Sequence, residues 1–358
     1  MPEQIQAENE IIQRVDALLH EAEMAGASDV HLHVLAEEAA IDFRLDGVLK
    51  RVRTLPVEDA KRWFGRLKYL AKLKTYQEAM PQDGRIPKEA CGTKTDIRVS
   101  CYPTVTGEKI VLRLFAPEVL KLEDLGYAAE LRAKLERFLK QPSGMLLLTG
   151  PAGSGKTTTI YACLQYVATL GGRHVITVED PVEQIIPGIT QTETNEARGL
   201  TFAEAGKRLL RQDPQVLVIG EIRDPETANL AARASLTGHL VISTLHAGSC
   251  VGVIDRMLEM SEDPYALTSG LSLVLNQRLL RRLCQECQGN GCGGCSRTGY
   301  RGRVPVAEWM TLESVSRESL RSGNLSNLKP GGTLSMAVRE VLEAGLSNQT
   351  EAERVIGL

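Results

Sequence analysis

The stretch MLLLTGPAGSGKTTTIYACLQYVATL, residues 145–170, decides the fold of this 358-residue chain. Residues 145–149 form a short, largely apolar run typical of a buried strand, and a helix is expected from about 158 to 170. Between them, residues 150–157 match the pattern G-x-x-x-x-G-K-[ST] completely. Its glycines let backbone N–H groups face phosphate oxygens, and the helix start adds partial positive charge. We call residues 150–157 the phosphate loop and predict that it binds ATP.

The phosphate loop has a defined set of predicted ligand contacts. Lys156 is expected to reach the β- and γ-phosphates, and the Thr157 hydroxyl is expected to ligate Mg²⁺. The alternative, a fortuitous glycine-rich turn, is disfavoured because strand and helix stand where the motif requires them. The residues predicted to contact the nucleotide are Gly150, Pro151, Ala152, Gly153, Ser154, Gly155, Lys156, Thr157 and Thr158.

Acidic residues lie at the ends of two further apolar runs. Glu221 follows the run 215–220, and Glu179 lies near the end of the run 174–180. Ligands bind at the carboxyl ends of strands in open α/β sheets. Glu221 is therefore predicted to hold the hydration shell of Mg²⁺, and Glu179 to orient or deprotonate the attacking water. The alternatives are a helix-capping carboxylate for Glu221 and a solvated loop charge for Glu179.

Two histidines flank another apolar run, residues 240–245. His239 precedes this run and His246 follows it. A single histidine is more often structural than chemical, so γ-phosphate sensing by this pair competes with a structural role.

The alternation of apolar and polar segments divides the chain into domains. Residues 1–117 combine helix-like and strand-like segments in the manner of a small α+β domain. Residues 118–142 form a linker with a connecting helix. Over residues 143–358, short apolar runs alternate with helical stretches, which predicts an α/β domain with a parallel sheet and helices on both faces. The tail beyond about residue 311 is polar and predicted to be helical.

The overall composition argues against two classes of protein. The formal net charge is −3 and aromatic residues make up 4%, so neither a basic field nor abundant stacking side chains favours a nucleic-acid partner. No window approaches 18 unbroken apolar residues, and the N-terminal residues carry charges throughout. Neither a membrane span nor a signal peptide is therefore expected, and the sequence predicts a cytoplasmic protein.

Four of the eight cysteines form a tight cluster. Cys284 and Cys287 make one C-x-x-C pair, and Cys292 and Cys295 make a second, with four residues between the pairs. Paired C-x-x-C sequences in a reducing compartment predict tetrathiolate Zn²⁺ ligation, and nearby glycines make so tight a loop feasible. The alternatives are four free thiols or a redox cluster. We call residues 284–295 the tetracysteine segment.

Several ordered segments resemble the secretion ATPases of type II secretion, type IV pilus and competence systems. The likeness covers about residues 28–310. It rests on the phosphate loop, on VITVEDPVEQIIPGITQTETN (175–195), on LLRQDPQVLVIGEIRDPETANLAARASLTGH (209–239), on GHLVISTLHA (238–247), on QDGR (82–85) and on RVSCYPTVTGEKIVLRL (98–114).

This resemblance implies a RecA-like P-loop NTPase core with a smaller, PAS-like N-terminal domain and a C-terminal zinc knuckle. It also implies a homo-hexamer that hydrolyses ATP with Mg²⁺ and drives pilin or pseudopilin assembly, or protein secretion, through an inner-membrane platform protein. Such a motor is peripheral on the cytoplasmic face of the inner membrane, associates with the membrane through its partner, and makes no direct contact with nucleic acid.

The resemblance also implies roles for individual residues. Arg85 of QDGR is a weaker match, and without the resemblance each arginine is a solvated strand residue. The implied residues are the catalytic glutamate Glu179, the Walker B acid Glu221, the His-box pair His239 and His246, and Arg98 and Arg113, which match arginines that close over the nucleotide phosphates.

The tetracysteine segment favours an assembly or secretion ATPase, because retraction ATPases of this family generally lack it. Two alternatives stay open, a pilus retraction ATPase and a RecA-like nucleic-acid motor. A non-hydrolysing nucleotide-binding scaffold is disfavoured, because it would need a damaged catalytic set and Lys156, Glu179 and Glu221 are all present.

Overall fold

The computed structural model describes residues 2–312, 320 and 325–357, and the chain groups into two compact units. The first unit comprises Met1–Glu118 and Cys284–Arg301, and the second comprises Val119–Leu283 and Gly302–Leu358. Within the described ranges, no helix combines the length and the hydrophobicity needed to cross a bilayer.

The first unit is built on a six-stranded antiparallel sheet in the order β3-β2-β1-β6-β5-β4. Its elements are α1 (Pro2–Met24), β1 (Ala27–Val34), β2 (Glu38–Leu45), β3 (Val48–Pro56), α2 (Val57–Leu70), β4 (Gln82–Ile86), α3 (Lys88–Cys91), β5 (Ile97–Thr104) and β6 (Gly107–Leu114).

One hydrophobic core joins this sheet to its two long helices. Inward-facing residues of β5 such as Val99 and Cys101 alternate with exposed neighbours, the period-2 pattern of a half-buried strand. Leu19 of α1 and Trp63 and Phe64 of α2 pack into the same core. Burying each such large apolar side chain stabilises the fold by about 1.5–3 kcal/mol.

The second unit is built on a seven-stranded sheet in the order β13-β12-β7-β11-β10-β8-β9. The pairs from β12 to β9 are all parallel. Its elements are α4 (Ala129–Leu139), β7 (Gly144–Thr149), α5 (Lys156–Leu170), β8 (Val175–Glu179), β9 (Thr190–Glu193), α6 (Phe202–Leu209), β10 (Val216–Ile219), α7 (Pro225–Leu236), β11 (Leu240–Thr244), α8 (Cys250–Met260), α9 (Pro264–Gly270), β12 (Leu271–Leu283), β13 (Tyr300–Thr311), α10 (Leu334–Glu343) and α11 (Gln349–Ile356). Short 3₁₀ turns lie at Leu122–Leu125, Glu196–Arg198, Gly293–Cys295 and Leu325–Asn327.

The central strand β7 is buried on both faces. Met145 and Leu147 pack with side chains of α7, α8 and α9, whereas Leu146 and Leu148 pack with side chains of α4 and α5. A strand that is covered by helices on both faces needs apolar side chains at successive positions, which explains the apolar run of residues 145–148 in β7. The predicted α/β class is confirmed.

For the C-terminal third, the structure agrees with one prediction from the sequence and differs from another. The predicted helical tail contains α10 and α11, while residues 313–319 and 321–324 lie outside the described residues. The sequence interpretation assigned the tetracysteine segment to the second domain, but residues 284–301 group with the first unit. There the Lys50 ammonium of β3 donates a hydrogen bond to the backbone carbonyl of Ser296.

Candidate active site

The phosphate loop connects the carboxyl end of β7 to the first turn of α5. Gly150, Gly153 and Gly155 have φ angles of 143°, 74° and 87°, a region that residues with a Cβ rarely adopt. A Cβ on Gly150 would lie 2.4 Å from the carbonyl oxygen of Gln277. Both backbone conformation and close packing therefore require glycine at the start of the loop.

Two polar groups of the loop are arranged as a ligand would need them. The Lys156 ammonium donates to the carbonyl oxygens of Gly150 at 2.8 Å and Pro151 at 3.1 Å, so it lies over the loop. Burial lowers the pKa of Lys156, and the nearby charge of Glu221 acts in the opposite direction. The hydroxyl oxygen of Ser154 is buried and has no hydrogen-bond partner in the described part of the chain. A concave loop with a poised cation and an unpaired buried hydroxyl fits a nucleotide phosphate.

A buried amide supports the loop from behind. Gln277 of β12 is 2% exposed, and its Nε2 donates to the carbonyl oxygen of Ser154 at 2.6 Å. Its Oε1 accepts hydrogen bonds from Tyr127 at 2.5 Å and Thr159 at 3.0 Å. Gln277 was not among the residues predicted from the sequence. The available signal was a polar residue within the largely apolar run 271–280, because such a residue needs a buried hydrogen-bond partner.

Glu221 follows β10 and lies beside a histidine and an arginine. His246 Nε2 lies 3.1 Å from one carboxylate oxygen of Glu221, and the Arg223 guanidinium lies 2.8 Å from the other. Arg223 also approaches the carboxylate of Asp180 at 3.8 Å. The structure thus brings Glu221, predicted to hold the hydration shell of Mg²⁺, together with the predicted sensor histidine His246. Arg223 was not predicted, because its sequence position shows only an exposed charge after a strand.

Glu179 ends β8 and lies among neutral donors. Its side chain is 7% exposed. One carboxylate oxygen accepts hydrogen bonds from Thr177 at 2.6 Å and from Gln191 at 3.0 Å. The Tyr161 hydroxyl donates to the other oxygen. These donors satisfy a carboxylate that would otherwise be costly to bury, so Glu179 is not a solvated loop charge.

The two predicted histidines lie at opposite ends of β11. His246 follows the carboxyl end beside Glu221, whereas His239 precedes the amino end, where its carbonyl accepts from the N–H of Gly144. At about 3.3 Å per residue, β11 separates them by roughly 15 Å or more. The ring of His239 instead contacts the carbonyl oxygen of Ala234 at 3.1 Å, at the end of α7. The structure does not bring His239 to the phosphate loop.

The predicted arginines lie side by side in the first unit. Arg98 is the cross-strand neighbour of Arg113 on β6 and of Arg85 on β4, so all three share one face of the sheet. Arg113 pairs with the buried Asp29 at 3.0 Å, and Arg85 pairs with Asp96 at 2.6 Å. Arg98 is exposed, and no ion-pair partner for it lies among the described residues. Three adjacent guanidinium groups form a surface suited to a polyanion.

The four sulfur atoms of the tetracysteine segment lie within 4.8 Å of one another. The sulfur atoms of Cys284 and Cys292 are 3.9 Å apart, and that of Cys295 is 3.8 Å from those of Cys287 and Cys292. A tetrahedral Zn²⁺ with S–Zn bonds of about 2.3 Å requires sulfur separations of about 3.8 Å. Three of the six sulfur separations match this value and the other three are at most 4.8 Å, so the four thiols are grouped as tetrahedral zinc ligands would be.

Backbone geometry explains how a four-residue spacer closes this site. Gln288, Gly289 and Gly291 have φ angles of 51°, 94° and 84°, which reverse the chain between the two cysteine pairs. Backbone N–H groups of Cys292 and Gly299 donate to the sulfur of Cys295. Burial acts to raise the pKa of Cys295, but these donors outweigh it and lower the pKa to about 6. Such donors stabilise the thiolate that a metal needs.

Comparison with known proteins decides the family. A family model described as "Type II/IV secretion system protein" matches residues 4–354. The chain belongs to this family. The type II secretion system protein HxcR of Pseudomonas aeruginosa is 38% identical over 360 residues, covering 97% of this chain and 76% of that protein. The type II secretion system ATPase E of Vibrio cholerae is 39% identical over 339 residues, covering 87% of this chain and 67% of that protein.

Solved structures of similar fold agree with this assignment. The pilus retraction motor PilT with bound ADP has a TM-score of 0.70 and 26% identity, covering 95% of this chain and 96% of that chain. The Legionella pneumophila ATPase DotB has a TM-score of 0.71 at 19% identity, covering 94% of each chain, and shows the fold alone. The type II/IV secretion family, the Vibrio cholerae ATPase and PilT confirm the predicted ATPase. PilT and DotB confirm the predicted fold, a RecA-like core with a smaller α+β domain.

Proposed function

We propose that this chain is the motor of a machine that assembles pilins or pseudopilins, or secretes proteins. In this proposal it works as a homo-hexamer, hydrolyses Mg²⁺-ATP, and passes force to an inner-membrane platform protein at the cytoplasmic face of that membrane. The names of its relatives support this system, since proteins 38% and 39% identical over most of the chain are type II secretion components.

The observation that carries the proposal is the convergence of four features on one sheet edge. The phosphate loop, Glu179, Glu221 and His246 follow the carboxyl ends of β7, β8, β10 and β11, which are consecutive parallel strands in the sheet. Ligands of open α/β sheets bind at this edge. A phosphate cradle, a cation and two carboxylates in different surroundings are the components that phosphoryl transfer to water requires.

The proposed reaction assigns one task to each group. Water attacks the γ-phosphorus, Glu179 orients that water and accepts its proton, and Lys156 offsets the charge that develops on the phosphate oxygens. Thr157 and Glu221 would hold Mg²⁺, which when bound neutralises charge shared by the β- and γ-phosphates. His246 is proposed to sense the γ-phosphate through Glu221.

The three neighbouring arginines of the first unit are proposed to bind phosphate. Arg98 and Arg113 are assigned to the charge that develops during hydrolysis, with Arg85 as the weaker member. Arg113 is already held by Asp29 at 3.0 Å, so its guanidinium is pre-oriented, whereas Arg98 is exposed and available.

The motor is proposed to drive assembly or secretion, and not retraction. The tetracysteine segment supports this direction, with its four thiolates holding one structural Zn²⁺. Pilus retraction is the second candidate, because a retraction motor is 26% identical to the chain over nearly its whole length.

ATPase assays of single variants test the proposal. Lys156→Ala should abolish hydrolysis, because the β- and γ-phosphates lose their cation. Glu179→Gln should bind ATP but turn over about 10²–10⁴-fold more slowly, because it lacks the base. Near-normal turnover by Lys156→Ala would remove the phosphate-loop assignment. Strong stimulation of the wild type by single-stranded DNA would favour a nucleic-acid motor instead.

The assembly state and the partner need separate measurements. Light scattering on the full chain with a non-hydrolysable ATP analogue should give six times the mass of one chain. Co-purification with a polytopic platform protein from the same membrane should depend on the intact tetracysteine segment. A monomer under every nucleotide condition would contradict the hexameric motor while leaving the ATPase assignment standing.

A further inference from the structure

We propose that Tyr161 is a positioning residue that holds Glu179 in place for ATP hydrolysis. The proposal rests on the role proposed for Glu179 and adds a residue that the motifs do not mark. Tyr161 lies on α5, the helix that begins at Lys156, and is 4% exposed.

The tyrosine hydroxyl stands at the meeting point of three chain segments. It donates a hydrogen bond to one carboxylate oxygen of Glu179, at the end of β8. It also accepts hydrogen bonds from the backbone N–H groups of Glu183 at 3.0 Å and Gln184 at 3.5 Å, in the loop that follows. One hydroxyl therefore ties the phosphate-loop helix to Glu179 and to the loop beyond it.

The two carboxylate oxygens of Glu179 accept hydrogen bonds from different side chains, and Tyr161 is the donor to Oε2. Thr177 and Gln191 both donate to Oε1, whereas Tyr161 donates to Oε2. Without the hydroxyl, Oε2 loses this buried donor and the carboxylate gains freedom to rotate about its last torsion. Burial, the hydrogen bond to Glu179 and its charge raise the pKa of Tyr161, so the group stays a neutral donor throughout the physiological range.

The same helix carries the residues that hold the nucleotide. Lys156 and Thr157 occupy the first turn of α5, and Tyr161 lies little more than one turn further on. The hydroxyl that donates to Glu179 therefore belongs to the same helix as the residues proposed to hold the nucleotide.

Tyr161→Phe is the direct test, because it removes the hydroxyl and keeps the ring. General base catalysis contributes about 10²–10⁴-fold, so loss of correct placement should lower kcat by about tenfold or more. The KM for Mg²⁺-ATP should stay within about twofold, because Lys156 and Thr157 are untouched. Tyr166→Phe removes a hydroxyl from the same helix without a contact to Glu179 and should leave kcat unchanged. A kcat of Tyr161→Phe equal to that of the wild type would overturn the inference.

The double variant Tyr161→Phe/Glu179→Gln separates this inference from the proposed function. If Tyr161 acts through Glu179, the double variant should be no slower than Glu179→Gln alone. A further loss equal to that of Tyr161→Phe alone would show independent action and overturn the inference. An unaffected Glu179→Gln would instead remove the proposed base. Tyr161→Met, which also lacks the hydroxyl, takes the place of Tyr161→Phe if that variant does not fold.

Discussion

Glu179 and Glu221 lie at the carboxyl ends of the neighbouring strands β8 and β10, yet the side chains around the two carboxylates differ in charge. Glu179 is enclosed by the neutral donors Thr177, Gln191 and Tyr161. Glu221 faces His246 and Arg223, both able to carry positive charge. Two carboxylates in contrasting environments can take different roles at one pH. The Arg223 guanidinium already balances the charge of Glu221, as a bound metal ion would, whereas the neutral donors of Glu179 fix the orientation of its carboxylate.

Replacing His246 and replacing His239, the two histidines of the His box, should have different effects on kcat. His246→Ala removes the 3.1 Å contact with Glu221 and should lower kcat and change its dependence on Mg²⁺. His239→Ala is the matched control, because His239 lies at the other end of β11. It should keep kcat within about twofold and lose about 1 kcal/mol of stability through its contact with Ala234. Equal kinetic losses in both variants would contradict this separation.

Sequence patterns identified the functional groups that are defined by residues close together along the chain. The phosphate loop needs a strand, glycines and a helix in order, and all lie within residues 144–170. Tyr161, Gln277 and Arg223 were not predicted, because their partners lie 18 to 150 positions away along the chain or, for Arg223 and Glu221, across a turn. Only the folded sheet brings these partners together. Nothing in the sequence around Tyr161 indicates that its hydroxyl will form a hydrogen bond with the carboxylate of Glu179.

At the scale of elements, apolar strands were predictable and polar ones were not. Predicted runs 145–149 and 174–180 correspond to β7 and β8 with shifts of one residue at the ends. β9 was missed, because its sequence Thr190–Glu193 contains no apolar residue and shows no alternation. It pairs with β8 at the sheet edge, where solvent on one side removes the need for apolar side chains.

The tetracysteine segment should hold about one Zn²⁺ per chain. Elemental analysis of protein purified without chelator checks this, and Cys287→Ser/Cys292→Ser should lose the metal. ATP binding should persist in that variant, because the phosphate loop belongs to a different unit. Cys91→Ser controls for loss of a thiol, since Cys91 is buried outside the segment. Zinc-free wild-type protein with four titratable thiols in this segment would contradict a metal site.

The C-terminal helix α11 should be held to β12 in a pH-dependent manner. Glu351 is fully buried and contacts Arg281 and Arg354 at 2.8 Å or less. Burial acts to raise its pKa, but hydrogen bonds from Arg354 and Arg281 outweigh burial and lower the pKa to about 2. The carboxylate is therefore charged in the folded state at a pH where it is protonated in the unfolded state. Its contribution is full above about pH 4.5 and is lost as the pH falls towards 2.

Urea unfolding of Glu351→Gln tests this docking. The variant should be about 3 kcal/mol less stable than the wild type at pH 7, because two arginines lose their buried partner. The difference should shrink as the pH falls below 4.5. Glu353→Gln makes the same change at an exposed position of α11 and should cost little. A difference that does not vary with pH would show that packing, and not the charge of Glu351, holds the helix.

At the scale of the whole molecule, the two units should respond to different ligands. The tetracysteine segment belongs to the first unit and the phosphate loop to the second. Removing zinc should therefore raise amide hydrogen exchange mainly within residues 2–118 and 284–301. ATP at 100 times its dissociation constant should protect the second unit by up to about 2.7 kcal/mol. Mass spectrometry of exchanged peptides measures both effects.

Lys156→Ala serves as the control for the nucleotide effect. This variant should keep the response to zinc removal and lose the protection by ATP, because only the phosphate loop is altered. Uniform protection of both units by ATP in the variant would show that the measured change does not arise at that loop.

The discontinuity of the first unit has a consequence for synthesis on the ribosome. Its hydrophobic core draws on residues between Val15 and Leu114, all made early, whereas its last part, Cys284–Arg301, is made only after most of the second unit. At translation rates of about 5–20 residues per second, about 8 to 33 s pass between the two parts. The tetracysteine segment can therefore join the nascent first unit only after most of the second unit has emerged, and any metal that this segment binds would be captured late in maturation.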